Sequence, residues 1–178
     1  LAHMRWNVAN CKADAPVTLV EYASLTCSHC ADFHNNVLSE IKKEFIDTGK
    51  VRLVYRDYPL DRLALAGSMI AQCAGRDRYF GFLQVLFQSQ SQWMRAANPL
   101  EALAQIARLG GVTQGEVDAC FKNEDQQKAI LQKQIDGSTK NKVNSTPTII
   151  VNGRKYPGGL SMPQFRAVLD DVAPPNKS

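Results

Sequence analysis

The sequence predicts an α/β chain in which a β-α-β unit and a later β-β-α unit are separated by an all-helical insertion. Three observations predict it. Val17-Thr18-Leu19-Val20-Glu21-Tyr22 is short, β-branched and mostly apolar, as a strand buried on both faces requires, and Val51-Arg52-Leu53-Val54-Tyr55 reads as a second strand. After Tyr58-Pro59 the periodicity becomes helical and stays so for about 75 residues. Strand character returns at Thr148-Ile149-Ile150-Val151, where Asn152-Gly153 is a two-residue hairpin turn into Arg154-Lys155-Tyr156.

Each element has its own local reason. Between the first two strands, Phe33, Val37, Ile41 and Phe45 recur at i+4, the stripe of a helix with one core-facing side. Gly49 is placed to end that helix just after residue 48. A helix of this length between strands implies a parallel pair joined by a right-handed crossover. In the insertion, Ala66, Met69, Ile70 and Cys73 share a face, and Tyr79, Phe80, Leu83, Leu86 and Phe87 continue an apolar stripe. Asn98-Pro99-Leu100-Glu101 reads as a capping box with proline in the first turn, and Thr113-Gln114-Gly115-Glu116 as another. Gly110-Gly111 stops the helix between them. Asn123 opens the last insertion helix, with Ile130, Leu131 and Ile135 expected inward, and Ser161 caps a final helix carrying Phe165, Val168 and Leu169.

Composition narrows the function. Of 178 residues, 44% are hydrophobic and 21% charged, an ordinary soluble balance that leaves room for one domain with an insertion. The net charge of +4 comes without a clustered basic stripe, which argues against nucleic acid. No apolar run approaches the roughly 20 residues of a membrane helix. The chain starts Leu1-Ala2-His3-Met4, and His3-Met4 reads as a cloning scar before a mature sequence, compatible with a removed secretory signal. Residues 1–15, with Trp6 and Cys11, read as a loosely docked arm. Five cysteines suggest an oxidising compartment and leave at least one without an intramolecular partner.

The chemistry concentrates at Cys27-Ser28-His29-Cys30. Cys27 falls at a strand-to-helix turn, where unpaired helix N–H groups and the positive dipole end favour an anion such as a thiolate. A Cys-x-x-Cys there, beside a β-α-β pattern, reads as a thioredoxin-like redox site. The competing reading is half of a zinc site, but the remaining cysteines are isolated and no second pair stands at short spacing.

The element order, Glu21 six residues before Cys27, the Cys27-Ser28-His29-Cys30 centre and Thr146-Pro147-Thr148 opening the third strand together resemble the DsbA family of periplasmic thiol–disulfide oxidoreductases. The resemblance runs from Val17 to about Leu169. It implies a thioredoxin-like domain over 1–58 and 138–178, interrupted by an inserted helical domain over 59–137.

It also implies roles. Cys27 is the attacking thiol and Cys30 the buried partner that closes the ring. His29 stabilises the Cys27 thiolate. Glu21, the one acid in an apolar strand, relays a proton to or from Cys30. Pro147 is cis and faces Cys27, leaving the backbone of Thr146 to pair with an extended substrate, while Thr146 tunes the active-site sulfur. His34 reads as a plain surface or packing residue. Cys73 and Cys120 lie on apolar helix faces and are expected to form a structural disulfide worth up to roughly 4 kcal/mol, two buried free thiols being the alternative. Cys11 has no evident partner.

The resemblance implies no cofactor and no metal. Its partners would be unfolded or newly translocated proteins and a DsbB-like membrane protein for reoxidation, with the chain itself a periplasmic monomer. Competing functions are a reductase or isomerase on the same fold and, from another class, a non-catalytic metal-binding or chaperone-like module. About 16 residues before the first strand leave no room for the dimerisation domain of such isomerases.

Overall fold

The first strand forms where the sequence alternates inward and outward. In β1 (Val17–Ala23) the side chains of Val17, Leu19 and Glu21 are buried, with half-buried Thr18 and Val20 between them. β1 pairs in parallel with β2 (Val51–Asp57), from Val17 opposite Val51 to Ala23 opposite Asp57. The strands are joined by one helical run, 28–46, that opens as α1 (Ser28–Asp32). It widens to a π-helical turn over Phe33–Leu38, tightens in α2 (Ser39–Ile41) and widens again over Lys42–Ile46. The structure is a computed structural model and describes residues 12–172; Trp6, Cys11 and the expected arm lie outside them, apart from 12–15.

Those wide turns change which side chains face the core. A turn of i→i+5 hydrogen bonds advances the buried face by about five residues rather than four. Phe33, Leu38, Ile41 and Ile46 are buried, whereas Val37 and Phe45, expected on the stripe, are only half so. Gly49 ends the run with φ of +78°, a conformation costly to any residue with a Cβ.

Six helices follow before the sheet resumes: α3 (Arg62–Cys73), α4 (Tyr79–Gln88), α5 (Gln90–Met94), α6 (Pro99–Leu109), α7 (Gln114–Phe121) and α8 (Glu124–Lys140). Thr113 and Glu116 form the reciprocal capping box. At α6 only half of one forms. Asn98 accepts from the Glu101 N–H, but the Glu101 carboxylate turns to Arg108, 2.7 Å away, where a cation near the helix end outbids the cap. In α8 Ile130 faces inward, while Leu131 and Ile135 are 37% and 53% exposed, because the helix meets the rest of the molecule along a narrower stripe than its apolar content suggests. α8 continues unbroken to Lys140, so the border expected at 137 falls inside a helix.

The sheet is completed by β3 (Thr148–Val151) and β4 (Arg154–Pro157), antiparallel neighbours in the order β2-β1-β3-β4. Asn152 and Gly153 turn between them with φ of 45° and 87°, the left-handed pair a tight hairpin needs. α9 (Met162–Val172) then buries Phe165, Val168 and Leu169. One core gathers Leu19, Ile41, Leu53, Ile149 and Phe165 around the sheet. A second, with Leu25, Cys30, Ile70, Leu86 and Trp93, welds the start of the 28–46 run to the insertion.

Candidate active site

β1 ends at Ala23, and a short loop delivers Cys27 to the start of α1. Cys27 is extended (φ −84°, ψ 119°) and is the helix cap itself: its sulfur accepts from the Cys30 N–H at 3.3 Å. The loop is held by the helical insertion. Gln90, buried in α5, donates from Nε2 to the carbonyls of Leu25 at 2.8 Å and Cys27 at 2.9 Å. Across the site stands the cis peptide Thr146–Pro147, with the Thr146 carbonyl 3.5 Å from Cys27 Sγ.

The two thiols, both free here, sit in opposite environments. The Cys27 thiol is lowered from the ordinary 9.0 to about 5. The Cys30 thiol donating to its thiolate is the largest cause. Partial burial works against it, and the Thr146 hydroxyl and the backbone N–H groups of Cys30 and His29 add to the lowering. Thr146 Oγ1 is buried without a hydrogen-bond partner, so its proton is uncommitted and available to that sulfur. Cys30 is fully buried, and its thiol is pushed well above the ordinary range, first by that burial and then by the neighbouring Cys27 and Glu21.

His29 reaches Cys27 through its backbone; its side chain is exposed. Glu21 is 0% exposed, and His34, expected to be plain surface or packing, is its partner: Nε2 and Oε2 are 2.8 Å apart. His34, one turn after Cys30, points inward, where its ring stacks on Phe87 at 4.1 Å and meets Tyr55 edge-on at 5.8 Å. Gln90 and His34 are the two residues that sequence reading passed over. A lone buried acid in β1 was a signal for some cation on the helix covering it; nothing local marked Gln90.

Cys73 at the end of α3 and Cys120 in α7 are joined by a disulfide, Cα–Cα 6.2 Å. Among the described residues no three metal-ligating side chains cluster, and no helix is long and apolar enough to cross a membrane.

A dithiol on a helix start, facing a cis-proline beside the middle of this sheet, defines the thioredoxin fold, here with its helical insertion. The family model described as thioredoxin matches residues 8–171. Wolbachia pipientis alpha-DsbA1 superposes with a TM-score of 0.85 at 30% identity over 90% of this chain and 87% of its own. A Bacillus anthracis protein provisionally named disulfide bond formation protein D is 31% identical over 86% of this chain and 71% of its length. A Rickettsia bellii protein provisionally named a protein-disulfide oxidoreductase is 30% identical over 79% of this chain and 54% of its length. The chain therefore belongs to the DsbA family of the thioredoxin superfamily. It spans about half the length of the Rickettsia relatives it matches.

Proposed function

We propose that the chain is a thiol–disulfide oxidoreductase that hands a Cys27–Cys30 disulfide to protein substrates in the periplasm, working as a monomer. The observation that carries this reading is the asymmetry of the two thiols. Cys27 is lowered to about 5 and Cys30 is pushed far the other way, so the reduced protein gains from an exposed-side thiolate and the disulfide is correspondingly ready to be reduced.

A substrate thiolate attacks Cys27 Sγ, and Cys30 leaves. Glu21, the buried acid whose charge Cys30 senses, supplies the proton that Cys30 needs. The Thr146 backbone beside the cis-proline pairs with an extended substrate segment, and its hydroxyl steadies the Cys27 sulfur. Cys73–Cys120 serves as a structural brace. Reoxidation falls to a DsbB-like membrane partner, and the division into a thioredoxin-like part and a helical insertion follows the same family plan. The name of the Bacillus relative supports the direction of the chemistry, and that of the Rickettsia relative its class.

The test is equilibrium poise: incubation in graded glutathione buffers, acid quench, alkylation and mass. Reduction of the pair under mildly reducing buffer is the expected result. A pair that stays oxidised until strongly reducing conditions removes the oxidase reading and favours a reductase.

A further inference from the structure

Glu21 and His34 form a buried pair whose two ends differ. Glu21 is 0% exposed and His34 8%, so the imidazole is the member nearer solvent. Glu21 Oε2 is taken by His34, while Oε1 is buried with no hydrogen-bond partner, which leaves one carboxyl oxygen uncommitted. The carboxyl is close enough for its charge to act on the Cys30 thiol. Among the described residues no lysine or arginine comes within salt-bridge distance of Glu21, so His34 is the group placed to balance it.

The other walls do not compete for the proton. From α4, Phe87 stacks on the imidazole, and from β2 Tyr55 presents its edge. Burial, with the neighbouring Asp57, raises the phenols of Tyr55 and Tyr79 well above their ordinary range, so both stay neutral. Asp57 itself is occupied by Gln72 at 2.8 Å and the Tyr79 hydroxyl at 3.1 Å.

We propose that His34 is a positioning residue for the Cys30 half of the exchange: it holds the Glu21 carboxyl and passes Glu21 the proton that Cys30 takes up. The proposal rests on the exchange reading above. In the oxidising direction a substrate thiolate attacks Cys27 Sγ, forming a substrate S–Sγ bond and breaking Cys27 Sγ–Cys30 Sγ; Cys30 leaves with the electron pair. A proton passes from the His34 imidazolium through the Glu21 carboxylate to the Cys30 sulfur, and solvent reloads the imidazole. A second substrate thiolate then attacks the substrate sulfur of the mixed disulfide and expels Cys27 as a thiolate. Two substrate thiols are oxidised and one protein disulfide is reduced.

One measurement uses the unaltered protein. The imidazole nitrogens are followed by NMR through a pH titration of the dithiol and disulfide forms. The His34 midpoint is expected to differ between the two forms, and the difference to vanish in Glu21→Gln; equal midpoints in the unaltered protein overturn the proposal. A second measurement follows cleavage of the Cys27–Cys30 disulfide by dithiothreitol as a function of pH. Glu21→Gln is expected to slow it about 10²-fold, the lower end for a positioned proton donor, and His34→Gln about 10-fold with loss of one inflection. The double variant should be no slower than Glu21→Gln alone, because His34 acts through Glu21. A His34→Gln profile equal to that of the unaltered protein, or losses that multiply in the double variant, overturns the relay alone. An unaltered disulfide that does not react with dithiothreitol overturns the exchange reading itself.

Discussion

Two cysteine pairs stand among the described residues, and their surroundings differ in chemistry. Cys27 looks mainly onto donors, the Cys30 N–H at 3.3 Å, the Cys30 thiol and the uncommitted Thr146 hydroxyl, with the Thr146 carbonyl at 3.5 Å as the one acceptor recorded against it. Cys73 and Cys120 look onto acceptors. Cys120 Sγ lies 3.1 Å from the Met69 carbonyl and 3.7 Å from Gln126 Oε1, and Cys73 Sγ lies 3.4 Å from the same Gln126 oxygen. Donors stabilise a thiolate, while facing lone pairs repel one. A sulfur that is to leave as an anion needs the first setting. One pair is therefore arranged to be exchanged and the other to stay closed.

The largest expected break of that contrast is Cys27→Ser. It removes the attacking sulfur, so turnover with a reduced peptide substrate should fall to background while Cys30 remains titratable by alkylation after unfolding. The substitution also has a signature in stability. The Cys27 thiol is lowered from 9.0 to about 5, so its contribution to the dithiol form is complete above about pH 9 and is lost as pH falls through about 5. Melting temperatures of the dithiol protein should therefore climb across that window, and Cys27→Ser should flatten the climb. An unchanged slope would mean that some other group supplies it.

Next in size is the brace. Cys73 and Cys120 are 47 residues apart in sequence, and chain entropy sets the value of such a bridge at about 4 kcal/mol as an upper figure. The double variant Cys73→Ala with Cys120→Ala should lower denaturant stability by up to about that amount. Exchange at Cys27 should stay within a few-fold of its original rate, because the bridge contributes no donor to that sulfur. A collapse of the rate in a variant that still folds would show that the two pairs are not separate devices.

How much of this contrast the sequence displayed depends on the range of the interaction. Cys27 at a helix start, the Asn152-Gly153 turn and the Thr113 capping box are set by residues within a few positions of one another and were legible; the parallel β1–β2 pair, Val17 opposite Val51, was legible through the helical run that joins the strands. Glu21 was legible as an anomaly, an acid where an apolar residue belongs. Its partner was not, since the apolar i+4 stripe runs through Phe33, Val37, Ile41 and Phe45. His34, four residues after buried Cys30, lies on the inward side of a regular helix too, but a histidine there gave no sign of pairing with an acid on β1; the π-helical turns exchange Val37 for Leu38. The Glu101 half of a capping box failed for a related reason: a competing arginine seven residues away is invisible to a four-residue motif. Gln90 lies furthest beyond reach, being polar, 63 residues from Cys27 and defined only by where the insertion folds back.

That remoteness makes Gln90 the finest probe of how the donor-rich setting is held. Its single amide satisfies two carbonyls of the loop before α1, those of Leu25 and Cys27, and Leu25 itself is buried in the core that joins loop and insertion. Gln90→Ala leaves a buried carbonyl without its donor, which should cost about 1–3 kcal/mol. It also frees the loop, so Cys27 Sγ spends less time within reach of the Cys30 N–H and the Thr146 hydroxyl. The midpoint for iodoacetamide alkylation of Cys27 should then move up from about 5 toward the ordinary thiol value. Gln90→Glu separates the two effects: a carboxylate cannot donate to either carbonyl and adds a negative charge beside the thiolate, so its midpoint should rise further than that of Gln90→Ala. Equal midpoints in both variants would reduce Gln90 to a packing residue, and the setting of Cys27 would then belong to α1 and the cis-proline loop alone.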